Sequence, residues 1–291
     1  MIITLEKCFF ETVAFLEEHG IEDAKFDARE IILHATKIDR VLFGIQSELK
    51  ISDEKQERVK ELLLKRVQGI PLQYILGEWD FYGYTFDVTE GVLIPRPETE
   101  ELTDLAIAEI AHQKKVIYDI CGGTGCIGLA IAIECPQTEV YIFEKYPIPC
   151  ACIRNNIIRY GLNNVHLEQC DVLDFDEWDD FPRPDLIVSN PPYIPTGELD
   201  DLQEEVKKEP MTALDGGEDG MLFYRALSKN WFAHLREGGM MFLECSEEQP
   251  QLVMDLFDPS EVVAEQSGTR KDFYGLDRFV YIKKAKKGKS R

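Results

Sequence analysis

Val116-Ile117-Tyr118-Asp119-Ile120-Cys121-Gly122-Gly123-Thr124-Gly125-Cys126-Ile127-Gly128 is the stretch that decides the fold. Its first five residues, apolar but for Asp119, read as a buried strand, and the apolar run over 126–135 reads as a helix. Between them, glycines let the backbone turn sharply and approach a ligand closely at a helix N-terminus. Gly123, Gly125 and Gly128 satisfy G-x-G-x-x-G, and Glu144 ends the next strand about 20 residues on, where a carboxylate takes both hydroxyls of a ribose. The pattern signals an adenosine-containing ligand and suits NAD and S-adenosylmethionine alike.

Outward from this stretch, short apolar strands at 116–120, 140–144, 165–168, 186–189, 240–245 and 279–282 alternate with helical segments at 126–135, 149–160, 221–236 and 249–257. Such alternation predicts an α/β fold with a mostly parallel sheet covered by helices on both faces. Upstream, residues 5–69 show helical spacing and no strand: Phe9, Val13 and Leu16 share one face, and 26–38 and 52–67 repeat the pattern. Ser52 is a candidate N-cap and Gly69-Ile70-Pro71 a stop. The aromatic, alternating segment 79–88 turns at Gly83 and reads as a β-hairpin. The expected organisation is a small helical domain at 1–75, a hairpin linker at 76–95, the α/β domain at 96–284 and a basic, disordered tail at 285–291.

The 291 residues are 44% apolar and 30% charged, the balance of a soluble globular protein. No apolar run approaches a membrane span and no signal-peptide pattern opens the chain, so it reads as cytoplasmic with no membrane partner. Eight cysteines contain no C-x-x-C pair and suggest no zinc framework; no metal is expected. The formal net charge of −22, despite six basic residues within 283–291, repels a phosphate backbone and counts against a nucleic-acid substrate.

A second informative stretch follows the apolar run 185–189: Asn190-Pro191-Pro192-Tyr193. Each proline fixes φ and lacks an N–H, so the carbonyls of Asn190 and Pro191 have no local donor obliged to claim them. Asn190 adds a side-chain oxygen, and Tyr193 a flat face on which an amide or a base can lie. At the carboxyl end of a strand in an open α/β sheet, such a turn sits where ligands bind. It can grip a planar NH2 group. Two acids favour S-adenosylmethionine in the glycine pocket. Asp119, before the turn, suits a cationic amino-acid portion and would repel a pyrophosphate, while Asp171 could accept from an adenine amino group with Val172 packed on the ring. Either acid would serve equally as a helix cap or a solvated loop residue.

With these pieces in place the chain resembles the release-factor glutamine methyltransferases. The likeness runs through Gly69-Ile70-Pro71-Leu72-Gln73-Tyr74-Ile75-Leu76-Gly77, Leu93-Ile94-Pro95-Arg96-Pro97-Glu98-Thr99-Glu100, the glycine turn, Ser189-Asn190-Pro191-Pro192-Tyr193-Ile194-Pro195, Glu209-Pro210 and Ala213-Leu214-Asp215-Gly216-Gly217. The resemblance implies a helical N-terminal domain, a hairpin linker and a seven-stranded class I methyltransferase (Rossmann-like) domain with a reversed last hairpin. It also implies an enzyme that methylates the side-chain nitrogen of the glutamine in the Gly-Gly-Gln loop of peptide chain release factors, tuning translation termination; the chain is expected to be a monomer. Carried over by position, Cys121, Gly122, Gly123, Thr124, Gly125, Glu144, Val172 and Asn190 would contact S-adenosylmethionine, and Asn190, Pro191, Pro192 and Tyr193 would hold the glutamine. The family often carries Gly-Thr-Gly-Ser-Gly at 121–125, Asp at 144 and Leu-Glu-Ile-Gly at 243–246; this chain departs mildly at each. The competing readings are a glutamine methyltransferase of a ribosomal protein, an adenine-N6 DNA methyltransferase, a dehydrogenase and a non-enzymatic adaptor.

Overall fold

The computed structural model describes residues 3–111, 113–176 and 180–286. Of the basic tail expected at 285–291, residues 287–291 lie outside the described residues. The chain forms two units, one gathering residues up to Glu78 together with Gln203–Lys208, the other holding Trp79–Leu202 and everything from Glu209 on.

The first unit contains β1 (Ile3–Thr4), α1 (Leu5–Glu18), α2 (Ala24–Thr36), α3 (Arg40–Ile45), β2 (Lys50–Ile51), α4 (Asp53–Arg66) and α5 (Leu72–Leu76). The helices form because apolar residues recur at helical spacing and the ends are capped. Thr4 accepts from the Lys7 N–H to open α1, and Ser52 from the Lys55 N–H to open α4. Leu16, Ala28, Ile31, Ile32 and Leu62 are fully buried where α1, α2 and α4 pack. Within this core Arg66 Nε lies 2.5 Å from Asp27, and its Nη2 lies 2.6 Å from Glu205, which the later segment contributes. The expectation of no strand before residue 69 is corrected here: β1 and β2 pair antiparallel, with Ile3 opposite Ile51. Two-residue strands are too short to show a period of two.

The second unit opens with β3 (Glu78–Phe81, entered across the unit boundary) and β4 (Tyr84–Asp87), turning at Gly83. There follow α6 (Pro97–Ile110), β5 (Val116–Ile120), α7 (Cys126–Glu134), β6 (Glu139–Glu144), α8 (Pro147–Tyr160), β7 (Val165–Gln169) and β8 (Leu186–Ser189). Next come α9 (Leu222–Ala226), α10 (Phe232–His234), β9 (Met240–Glu244), α11 (Pro250–Met254), β10 (Gly268–Lys271) and β11 (Asp277–Lys283). The helix expected at 221–236 is interrupted: Leu227–Trp231 is a π-helical turn between α9 and α10.

The sheet has seven strands in the order β10-β11-β9-β8-β5-β6-β7. β5 through β9 pair in parallel, whereas β11 runs antiparallel to both β9 and β10. Alternate residues feed two cores. Ile117, Val188, Ile142 and Phe242 pack with α6 and α7 on one face, and Tyr118, Ile187, Phe143 and Met241 pack with Trp231 and Tyr224 on the other. Strands buried on both faces are why these segments read as continuous apolar runs. Because β8 lies beside β5 and β6 lies on the other side, the strand order reverses at β5, and a crevice opens at the carboxyl ends there.

Lys284, directly after β11, is buried, and its Nζ donates to the carbonyls of Phe232 (2.6 Å), Ala233 (2.8 Å) and Leu235 (2.9 Å) at the end of α10. A cation there answers orphan carbonyls and the negative end of the helix. Lys284→Met should therefore cost about 2 kcal/mol, read as a lowered urea midpoint; an unchanged midpoint contradicts this account.

Candidate cofactor and substrate site

At the crevice the chain leaves β5 through a turn that only small or strained residues can make. Cys121 adopts φ +65, a conformation costing a side-chain-bearing residue about 1–2 kcal/mol. An added Cβ at Gly122 would lie 2.3 Å from Ile142 Cγ2, so glycine is what allows the turn to close onto β6. Gly122 N–H donates to the Phe143 carbonyl at 3.1 Å, fixing that approach. Over Gly123 a Cβ would meet nothing within 4 Å, which leaves open space above the backbone.

That space is part of a cavity of about 300 Å³, the size of a small-molecule site. Cys121, Gly123, Glu144, Asp171, Val172, Asn190 and Pro192 line it, which brings together residues from the ends of β5, β6, β7 and β8. Gly122, Thr124, Gly125, Pro191 and Tyr193 build the flanking turns without forming its wall. Further along the chain, 210–213 and Leu222-Phe223 add to the lining.

Glu144 is held by two backbone donors, Gly123 N–H on Oε2 and Tyr146 N–H on Oε1, each at 2.9 Å. Burial raises its pKa against those hydrogen bonds. Each oxygen keeps a lone pair, so the carboxylate can accept two hydroxyls of a ribose. Asp171 accepts from Lys145 Nζ at 2.7 Å and from Leu173 N–H at 3.0 Å. Burial pulls its pKa upward, but these donors outweigh it and the net shift is downward. Val172 is nearly buried at the wall, its carbonyl accepting from Trp231 Nε1 at 2.9 Å.

Asp119 is fully buried under the turn and is absent from the cavity wall. Its Oδ2 accepts the Gly128 N–H at 2.8 Å in the first turn of α7, while Oδ1 is buried and receives no hydrogen bond. Burial pushes its pKa up to about 8 against that hydrogen bond, and Glu144 adds to the rise. The sequence reading left helix capping open for Asp119, and capping is what the geometry displays.

The second turn is anchored on the other side of the crevice. Ser189 Oγ donates to the Ile120 carbonyl at 2.5 Å, tying the end of β8 to β5. Tyr193 carbonyl accepts from Gln249 Nε2 at 2.9 Å, Ile194 N–H donates to the Leu214 carbonyl at 3.0 Å, and Gly216 N–H returns to the Ile194 carbonyl at 2.8 Å. The Tyr193 hydroxyl is raised to about 12, first by burial and then by the charge of Glu244. Asn190 Nδ2 donates to Glu244 Oε1 at 2.9 Å and to Thr99 Oγ1 at 3.2 Å. Arg96 pairs with buried Glu209, whose Oε2 also accepts the Ile94 N–H at 3.0 Å. Arg96 thus braces the 94–96 segment against the start of the 210–213 wall. Thr99, Glu244, Lys145 and 210–213 were not singled out as site residues in the sequence; the only signals for Thr99, Glu244 and the 210–213 segment were the shared motif pieces at 93–100, 209–210 and 213–217 and the Leu-Glu pair at 243–244, and Lys145 carried none.

The residues fit S-adenosylmethionine: a paired-hydroxyl acceptor in Glu144, an apolar wall at Val172 and open space over Gly123 lie in one cavity. A seven-stranded sheet reversed at β5 with its last hairpin antiparallel, and this pocket at the switch point, define a class I S-adenosylmethionine-dependent methyltransferase. The family described as PrmC N-terminal domain matches residues 10–77, and that described as methyltransferase small domain matches 98–224. A Geobacter sulfurreducens protein named release factor glutamine methyltransferase is 36% identical over 280 residues, covering 96% of each chain. A human protein named MTRF1L release factor glutamine methyltransferase is 30% identical over 284 residues, covering 92% of this chain and 84% of its own. The chain belongs to the release factor glutamine methyltransferase family. A solved methyltransferase from Pyrococcus furiosus, 18% identical, shares the fold with a TM-score of 0.50 over 68% of this chain and 87% of its own.

Proposed function

We propose that this enzyme methylates the side-chain amide nitrogen (N5) of the glutamine in the Gly-Gly-Gln loop of peptide chain release factors, with the helical unit recognising the protein partner. The observation that carries the reading is that Asn190 and Pro192 share one cavity with Glu144, Asp171 and Val172, so a grip for a planar NH2 adjoins a pocket for an adenosine. When bound, S-adenosylmethionine supplies an electrophilic methyl on a sulfonium leaving group.

An amide nitrogen is a poor nucleophile because its lone pair is delocalised into the carbonyl. The chain must therefore supply geometry. Asn190 Oδ1 and the Pro191 carbonyl each accept one N–H of the substrate amide, and the Tyr193 ring packs on the amide plane. Two acceptors polarise the N–H bonds and aim the nitrogen, an orientation effect worth on the order of 7–11 kcal/mol when the reactants are held in line. No strong general base is required, because the amide N–H becomes acidic as the nitrogen is alkylated and its proton passes to solvent while the sulfur leaves as a neutral thioether. The net charge of −22 favours a protein over a DNA substrate.

The test is incubation with methyl-labelled S-adenosylmethionine and, in separate reactions, a release factor, the same factor with its Gly-Gly-Gln glutamine substituted, ribosomal proteins and duplex DNA. Label on the unaltered release factor alone is the expected result. Label on a ribosomal protein or on adenine would replace the substrate, and no label on any would remove the reading.

A further inference from the structure

We infer that Glu244, together with Thr99, is a positioning residue that fixes the orientation of the Asn190 amide and so presents its oxygen to the substrate. The inference rests on the glutamine reading for its kinetic consequence and on geometry alone for its structural one.

Asparagine can present either edge of its amide, and the two edges have opposite polarity. An acceptor grip works only if the oxygen faces the guest. Glu244, the last residue of β9, is buried, and its Oε1 sits 2.9 Å from Asn190 Nδ2. An ionised carboxylate only accepts hydrogen bonds, so the edge of Asn190 facing it must be the nitrogen. The second Nδ2 hydrogen goes to Thr99 Oγ1 at 3.2 Å, and the Thr99 hydroxyl in turn hydrogen-bonds Glu244. With both amide hydrogens taken, trigonal geometry leaves Oδ1 on the opposite edge, and Asn190 is part of the cavity wall.

Protonation would loosen this. Glu244 Oε2 is buried and receives no hydrogen bond, a position open to a proton. Arg96 and Glu98 at the start of α6, Arg278 on β11, Tyr193 on the turn, Tyr224 on α9 and Cys126 on α7 surround the carboxyl electrostatically. Cys245 follows it on its own strand. Burial dominates and raises Glu244 to about 7, against Thr99 and the two arginines. A neutral Glu244 carboxylic acid offers Asn190 either a carbonyl or a hydroxyl, so the flipped amide, with Nδ2 toward the substrate, becomes acceptable beside the correct one. The correct orientation is thus enforced above about pH 7 and no longer enforced below it.

The experiment has two readouts. In enzyme labelled with 15N-asparagine, with the Asn190 resonances assigned by their loss in Asn190→Ala, the side-chain NH2 protons should shift with a midpoint near 7, and Glu244→Gln should abolish the titration. In methyl transfer to a release factor, Glu244→Leu should lower kcat roughly 30-fold or more, leaving KM nearly unchanged. Glu244→Gln, which like the neutral acid offers either an acceptor or a donor, should hold kcat at the wild type's acid-side level, within about five-fold of its maximum, and show no fall across neutrality. An Asn190 amide indifferent to pH in the wild type overturns the inference, as does an acid-side fall that persists in Glu244→Gln or a full kcat in a folded Glu244→Leu. Should the wild type leave release factors unmodified, the substrate reading falls, while the amide titration still decides the role of Glu244.

Discussion

Replacing Asn190 by alanine should lower methyl transfer about 10³-fold, a barrier increase of about 4 kcal/mol, while S-adenosylmethionine affinity stays within a few-fold. The separation follows from where the residue sits. Its backbone is fixed by β8 and the two prolines, and Ser189 still ties the strand end to β5, so the turn keeps its course without the side chain. Glu144 and the glycine turn hold the pocket from the far side and lose no partner. What disappears is the oxygen proposed to aim the substrate nitrogen. Single-turnover methylation of a release factor gives the first quantity and titration calorimetry with S-adenosylmethionine the second. Near-normal turnover, or a parallel collapse of cofactor affinity, would remove Asn190 from the role assigned to it.

The second large effect is expected at Gly220, which touches no substrate in this scheme. An added Cβ would stand 2.4 Å from the Tyr193 carbonyl oxygen and 2.6 Å from Gln249 Nε2, the two atoms whose hydrogen bond holds the Asn190–Tyr193 turn. The first of these is backbone and cannot swing away. Gly220 also lies at φ +72, where any side chain is strained. Overpacking and strain together should destabilise Gly220→Ala by about 3 kcal/mol. Displacement of Tyr193 should cut methyl transfer about 10²-fold even where the variant remains folded. Gly197→Ala is the matched control: it meets nothing within 4 Å and its φ is not positive, so its stability should change by less than about 0.5 kcal/mol. Urea unfolding of both variants checks the pair; equal midpoints would show that the turn tolerates what the geometry forbids.

The frame was legible because its strands are buried on both faces. Residues 116–120 and 186–189 could only be continuous apolar runs, and the glycine turn between β5 and α7 has a composition that few other structures require. β10 escaped because Gly268–Lys271 is a largely polar edge strand that buries little, so no alternation marks it. The break at Leu227–Trp231 escaped because a π-turn inserts a residue without altering composition. An acceptor role for Asn190 could be proposed from chemistry, but the groups that hydrogen-bond its amide lie 91 residues earlier and 54 later. Only the fold brings them together. Lys145 was silent for a similar reason: its pairing with Asp171 depends on β6 and β7 ending side by side.

The segment Gln203–Lys208 gives the chain a property that a simple order of domains would not. It belongs to the helical unit, yet the sequence delivers it between the Asn190 turn and the 210–213 wall of the cavity. The chain therefore crosses between the units three times, and a single cut cannot part them. A transplant of the first 78 residues onto another catalytic body would carry Arg66 but leave Glu205 behind. The helical unit and the catalytic unit of this enzyme are consequently inherited as one piece, and exchanging the helical unit of one member for that of another by fusing gene halves would require moving a loop from the middle of the catalytic half as well.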